Sequence, residues 1–560
     1  MKHSIEFKLF APRNQAVALI GSFSDWESIP MEQSQQGYFQ TLVDLDDGVY
    51  QYKFRVQSQD GSEEPHKWVE INDPYSTEID VATSNSVLRI KDGQKIVDDY
   101  VWQYDHVPLP PDHELVIYEL FISDFAGDSE QPEQSGQYHH TIAKLDYLKE
   151  LGINAIELMP VNEAPGDYDW GYTPSYLLAP KLRFGTTNEL KQLIDQCHAR
   201  GIRVILDQLY NHSSDASPLL QIDRDYWYYH DRHHPDANPS DYWGPEFNYE
   251  YQDDRLGIRP AWKLMTDVVQ FWIQNYHIDG IRYDALKELA NDDFLHHVTG
   301  IAKQTADGKP FFNIGEHIPE TPKIVSPNGP MDSCWHDSFY HFLVAHLTNQ
   351  TFDLEQLKSV LEASRQEIPE GVTKVVNYLS NHDHNCLLAE LGKYGIFGQA
   401  AFQRVKLGVA VLMTAPGVPL IWMGEEFGMC TDSRPNQPSK LDWSLLQQPL
   451  NRDLFEYYQR LIALRIQNSA LQTSNIQFLH EDLSNQVFVY DRWHNAGARV
   501  VVVTNWSEQC LENYCVPHIP DNGMWCEWIT KGQIASRERQ LTINLMPYEA
   551  QILVWQSDLP

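Results

Sequence analysis

Cysteine is scarce in this chain, and nowhere does it take the spacing of a metal ligand set. The seven residues (Cys197, Cys334, Cys386, Cys430, Cys510, Cys515, Cys526) are scattered over more than half of the 560 positions. That excludes zinc-ribbon and zinc-finger architectures. An odd, sparse set reads as reduced thiols in a cytosolic protein, with Cys510 and Cys515 alone close enough in sequence to approach one another. Long apolar runs are also missing. No 18-residue stretch would cross a bilayer, and the opening M-K-H-S-I-E-F-K-L-F lacks the apolar segment of a signal peptide, so a cytoplasmic protein without a membrane partner is expected. Positive charge is short as well. Lys and Arg number 42 against 78 Asp and Glu, a net charge of −36. Phosphate backbones are repelled by such a field, which excludes nucleic acid as a partner; an uncharged substrate is indifferent to it. Oligomeric state leaves no signature in the sequence.

Aromatic side chains, by contrast, are abundant: 16 Trp, 29 Tyr and 22 Phe. Their flat faces serve cores and also stack on sugar rings or bases. The chain is too long for one core and divides by pattern. Residues 1–105 carry short alternating runs such as V-A-L-I (17–20) and Y-Q-Y-K-F-R-V (50–56) between Gly- and Asp-rich turns, as a β-sandwich does. D-H-V-P-L-P-P-D-H-E (105–114) then reads as a linker.

Strand–helix alternation fills 113–470. Strands are expected at L-V-I-Y-E-L (115–120), I-N-A-I-E-L-M-P (153–160), I-R-V-I-L-D (202–207), I-R-Y-D (281–284), F-F-N-I-G-E (311–316), near Cys334 to Phe339, K-V-V-N-Y-L-S (374–380) and V-P-L-I-W-M-G (418–424). One helix is expected from Ile142 to Leu151. Thr186 and Glu189 form a capping box before a second, which Gly201 closes. Met265, Val268, Val269, Trp272, Ile273 and Tyr276 mark the face of a third, with Gly280 as its stop. About eight βα units make an α/β protein of (β/α)8 TIM-barrel class. The Trp-, Tyr- and His-rich segment 213–258 is an insertion of little periodicity, and its His230, His233 and His234 read as a solvated loop. Alternation resumes over 475–560, a C-terminal β-sandwich.

Four of the barrel strands end in residues that can do chemistry. The third ends at Asp207, with Asn211 and His212 just beyond; the fourth at Asp284, with Arg282 two residues earlier on the same face. The fifth ends at Glu316, and the seventh runs into Asn381-His382-Asp383. Barrel active sites sit at the C-terminal mouth, so these groups are expected to converge. Carboxylates without cysteine ligands suit acid–base and nucleophilic work on an acetal, which in a retaining glycosidase needs two carboxyl groups about 5–5.5 Å apart. Arg282 is expected to keep Asp284 ionised, while burial and a neighbouring anion raise Glu316.

V-I-L-D-Q-L-Y-N-H, G-I-R-Y-D-A, N-I-G-E and L-S-N-H-D, in that order, resemble the four sequence regions of the α-amylase family of glycoside hydrolases. The resemblance implies Asp284 as nucleophile, Glu316 as general acid/base and Asp383 as the residue holding the sugar at the cleavage point. Arg282 would orient the nucleophile, and His212, His382 and Asp207 would line the same subsite. Tyr172, in W-G-Y (170–172), matches the family's aromatic platform. Asn211 aligns with a calcium ligand in many amylases, though no partner ligands are identifiable; no other cofactor is implied.

G-S-F-S-D-W (21–26), Q-Y-K-F-R-V (51–56), Trp68 and D-P (73–74) resemble the glycogen-binding module attached to branching and debranching enzymes. Trp26, Lys53 and Trp68 would there meet an α-glucan; the alternative is that both tryptophans pack the module onto the barrel. E-H-I-P-E-T-P-K-I-V-S-P after Glu316, M-G-E-E-F-G (423–428) and L-D-W (441–443) are similar to branching enzymes, which pass a cleaved α-1,4 chain to a 6-hydroxyl. His384 departs from them, since they usually carry Glu directly after the third catalytic Asp. Hydrolysis is the alternative, by an α-amylase-like, debranching or maltooligosyltrehalose trehalohydrolase activity. A non-catalytic glucan-binding protein is the third reading, against which all three carboxylates stand.

Overall fold

The computed structural model describes residues 2–59, 67–80, 82–127, 136–166, 170–230, 242–430 and 439–555. At its centre eight parallel strands close into a barrel: β1 (Ile117–Leu120), β2 (Ala155–Leu158), β3 (Arg203–Gln208), β4 (Gly280–Tyr283), β5 (Phe312–Gly315), β6 (Ser333–Trp335), β7 (Val375–Tyr378) and β8 (Val418–Trp422). Every residue of these strands is buried. Helices cover the outside and side chains fill the inside, so the strands read as unbroken apolar runs interrupted by a few ionisable groups.

The helices follow their caps. Thr186 accepts a hydrogen bond from the Glu189 amide, and the Glu189 carboxylate accepts one back from the Thr186 amide, opening Thr187–His198. Pro260–Tyr276 starts on proline and buries Leu264, Met265, Val268, Val269, Trp272 and Ile273. It ends earlier than its pattern indicates. His277 takes the left-handed conformation (φ 52°) and closes it, while Gly280 belongs to β4. A side chain at Gly280 would put its Cβ 2.6 Å from the Phe312 carbonyl oxygen, so glycine is needed there for β4 to approach β5. The segment expected as one helix at 142–151 is two, Tyr138–Ile142 and Leu145–Leu151. The insertion is also more regular than expected, since Pro218–Trp227 is helical on either side of a kink at Asp223. Of its histidines, His230 pairs with Asp225 (3.0 Å), whereas His233 and His234 lie outside the described residues.

In the N-terminal β-sandwich a sheet led by His3–Phe10 and Tyr38–Leu45 faces one built on Val17–Gly21, Gly48–Gln57 and Ser86–Lys91. It is bolted to the barrel insertion by Arg13, whose guanidinium donates two hydrogen bonds of 2.5 Å to Asp223, and by Asn14, which donates to the Ile222 carbonyl (2.8 Å). Behind the barrel a C-terminal sandwich pairs a six-stranded sheet with a two-stranded one. Its junction is held by two fully buried arginines, Arg465 and Arg492, which donate to the carbonyls of Ala415 and Gly417 and of Thr414, Thr473 and Asn475. Among the described residues no helix is long and apolar enough to cross a membrane.

The cysteines correct the expectation of a wholly reduced set. Cys386 and Cys430 form a disulfide with Cα atoms 5.7 Å apart, and the remaining five are free. The pair lies 44 residues apart in sequence but in the loops that follow β7 and β8, neighbours in the barrel. Cys510 and Cys515 stay unpaired and exposed.

Candidate active site

Strand register does most of the assembly. Asp207 and Arg282 are paired neighbours on β3 and β4, so the arginine meets a carboxylate inside the barrel. Its Nη1 donates to both Asp207 oxygens at 3.0 Å and to Asp284 Oδ1 at 2.6 Å; its Nη2 lies 3.1 Å from Glu316 Oε2. The guanidinium also stacks on Trp335 of β6, with Cζ 4.2 Å from the ring centroid. One fully buried planar cation thus reaches carboxylates at the ends of three strands, a geometry that suits Arg and not Lys. Glu316 is fixed further by the Ala285 amide, which donates to Oε2 (2.8 Å).

Burial lifts both acids. Asp284 is pushed up to about 6 by desolvation, partly offset by Arg282. Glu316 is pushed up to about 7 by desolvation, offset by Arg282 and reinforced by the anions Asp284 and Asp383. Arg282 favours the ionised form of Asp284, as expected of it, but burial outweighs it. The order is kept, with Asp284 the stronger acid of the pair.

A second polar chain enters from β1. His382 pairs through Nδ1 with Glu119 (2.6 Å) and through Nε2 with Asp383 (3.4 Å). Burial opposes its charge, yet Asp383 and Glu119 together push it up to about 10, so it is an imidazolium in neutral solution. Tyr172 stacks on this ring (4.9 Å between centroids, 20°) and donates to Asp207 Oδ2 at 2.6 Å. His212 donates from Nε2 to the Tyr172 carbonyl (2.7 Å), and burial lowers it to about 4, which keeps it neutral. A cavity of about 470 Å³ is lined by Tyr172, His212, Asp284, Glu316, His382 and Asp383, with Trp243 of the insertion at its rim.

Two acids of the barrel interior were not singled out in the sequence. Glu119 and Glu157 are register partners on β1 and β2, both fully buried. Glu157 is pushed far up by desolvation and by Glu119, so it is a neutral acid. Their signal was a single glutamate inside an otherwise apolar strand. Asn211 is buried with its amide 3.3 Å from His212 Nδ1. The group of three convergent His, Asp or Glu ligands found among the described residues lies elsewhere, at Asp337, His341 and His384. On the N-terminal module Trp26 and Trp68 are 40% and 42% exposed. Lys53 is half-buried and shares the outer face of its sheet with Arg55 and Trp68.

Comparison with known proteins agrees with this architecture. The α-amylase catalytic-domain family matches residues 120–449, carbohydrate-binding module 48 (isoamylase N-terminal domain) residues 1–76, and the α-amylase C-terminal all-β domain residues 479–556. A malto-oligosyltrehalose trehalohydrolase of Saccharolobus solfataricus is 27% identical over 76% of this chain and 73% of its own. The 1,4-α-glucan branching enzyme GlgB of Chlamydia pneumoniae is 25% identical over 93% of this chain and 74% of its own. Among solved structures, a type I pullulanase of Bacillus subtilis complexed with maltose superposes over 99% of this chain and 85% of its own, with a TM-score of 0.80 at 20% identity, a likeness of fold. With its catalytic-domain match spanning the barrel and its mouth, this chain belongs to the α-amylase family.

Proposed function

We propose that this protein is a retaining α-glucan-active enzyme whose principal reaction is 1,4-α-glucan branching. The observation that carries the mechanism is the shared guanidinium of Arg282. Among the described residues it leaves one oxygen of each of these carboxyl groups unengaged, Oδ2 of Asp284 and Oε1 of Glu316. In the first step Asp284 attacks the anomeric carbon, the C1–O4 bond breaks, and the Glu316 proton goes to the departing O4. Asp383 and the charged His382 behind it hold the hydroxyls of the sugar being distorted. In the second step Glu316, now ionised, takes the proton of a 6-hydroxyl whose oxygen attacks C1 and releases Asp284. Two carboxyl groups do this chemistry without a cofactor.

Transfer to a second chain is supported by the branching enzymes among the relatives, those of Chlamydia pneumoniae and Photobacterium profundum aligning with more than nine-tenths of this sequence. A specific observation favours hydrolysis as the second reading: His384 stands where branching enzymes usually carry Glu, and a trehalohydrolase is among the relatives. Incubation with amylose separates the two. Branching lowers iodine colour without new reducing ends. Reducing ends rising in step with colour loss overturn it, and trehalose released from maltooligosyl-trehalose identifies the trehalohydrolase.

A further inference from the structure

Beside the cavity, and outside the chemistry just described, three ligand-type side chains converge. Asp337 and His341 lie one turn apart on the helix Asp337–Leu347, and His384 follows Asp383 in the loop after β7. The Asp337 carboxylate faces both rings, with Oδ1 2.8 Å from His384 Nε2 and Oδ2 3.2 Å from His341 Nε2. One ligand atom from each residue falls within 4.8 Å of the others. We propose that Asp337, His341 and His384 form a binding site for a zinc-class divalent transition metal.

The geometry is close to what such an ion requires. Metal–nitrogen bonds of about 2.0–2.1 Å and metal–oxygen bonds of about 2.0–2.2 Å put tetrahedral donors about 3.3–3.5 Å apart. The Oδ2–His341 separation is within about 0.3 Å of that spacing and the Oδ1–His384 separation about 0.5–0.7 Å short of it, so a small turn of the carboxylate and a small parting of the His384 ring admit the ion. The rings are already aimed. His384 lies flat on Tyr340 (4.2 Å between centroids, 9°), a contact that occupies a face of the imidazole and leaves Nε2 in the ring plane directed at Asp337, to which it donates as N–H until an ion replaces that proton. Its loop is pinned by Asn381 Oδ1, which accepts from the amides of Asp383 (2.9 Å) and His384 (2.8 Å). Tyr378 donates to Asp337 Oδ1 at 3.2 Å, the outer hydrogen bond that orients a ligating carboxylate. The His341 side chain is 56% exposed, so the site opens to solvent on one side and an ion can enter. Two imidazoles and one carboxylate select zinc, cobalt, nickel or copper over calcium and magnesium, which take oxygen cages. An ion there joins the loop carrying Asp383 to the helix after β6.

Cobalt(II) is the probe, titrated into the full chain freed of metal by a chelator that is then dialysed away. One equivalent should bind with the visible ligand-field bands of a four- or five-coordinate ion, and zinc should displace it. His341→Ala should weaken binding about tenfold or more while leaving glucan activity in metal-free buffer unchanged, since His341 is exposed and lies outside the catalytic group. Equal cobalt affinity in the parent and in His341→Ala overturns the site, because His341 is then not a ligand; equal competition by calcium overturns it too, because that result puts the ion on oxygen ligands. No saturable binding to the parent overturns it as well.

Discussion

Arg282 meets three carboxylates at once, so replacing it has a signature distinct from losing any one of them. Arg282→Lys keeps the charge but not the fork, and should lower kcat by about 10²–10³-fold, as loss of an aligned donor does. Because the Arg282 hydrogen bond to Asp284 Oδ1 is one of the effects opposing the upward shift of Asp284, its loss should also move the acid limb of the rate profile to higher pH in that variant. In the parent protein the proposed mechanism requires Asp284 ionised and Glu316 protonated. The rate should therefore rise with pH through about 6 and fall through about 7, with its maximum between them. A flat profile from pH 5 to 8 would contradict the assignment of roles. Glu316→Gln should cost about 10²–10⁴-fold in kcat and remove the alkaline limb. At this scale the sequence was informative where a residue type is forced by the chemistry: Asp284, Glu316, Asp383 and Arg282 stand at strand ends inside apolar runs. Glu119 and Glu157 went unseen for an opposite reason. Each sits within its strand, and only the pairing of β1 with β2 puts the two carboxyl groups side by side.

Among the elements, β4 carries the heaviest constraint, because it bears Arg282 and delivers Asp284. Gly280→Ala should force the Phe312 carbonyl away and part β4 from β5 at their N-terminal ends. A destabilisation of about 1–3 kcal/mol is expected, read from the shift in a urea unfolding midpoint. An unchanged midpoint would mean that the two strands can separate without cost. The same residue shows why boundaries were harder to read than elements. A glycine after an apolar stripe looks like a helix stop, yet His277 does that work and Gly280 serves strand packing. The disulfide was hidden for a related reason, since 44 residues separate two cysteines that only the β7–β8 adjacency brings together. Thiol titration of the denatured, unreduced chain should count five free cysteines, and seven after reduction. Seven from the outset would remove the bridge.

Across the whole molecule, the outer face of the N-terminal sandwich and the barrel mouth are separate places where a glucan would be met. Lys53, Arg55 and Trp68 share one sheet face, with Arg55 Cζ 5.9 Å from the Trp68 ring and Nη1 donating to Ser28 (3.0 Å), just after the turn that presents Trp26. Tryptophans this exposed on a protein of net charge −36 are poor sites for an anion and good ones for the apolar face of a neutral sugar. Each lost sugar–indole stack should cost a few-fold to tenfold in affinity, about 0.5–1.5 kcal/mol. Trp26→Ala combined with Trp68→Ala should therefore lower retention on immobilised glycogen and raise KM for amylose. It should leave kcat on a short maltooligosaccharide unaltered, because such a substrate fits within the cavity of about 470 Å³ and its surroundings without reaching the module. If kcat on the short substrate falls as well, the two tryptophans act through the barrel and the module is a structural brace. If retention on glycogen is untouched, the polymer is held by the barrel alone, and the exposed indoles need another occupant.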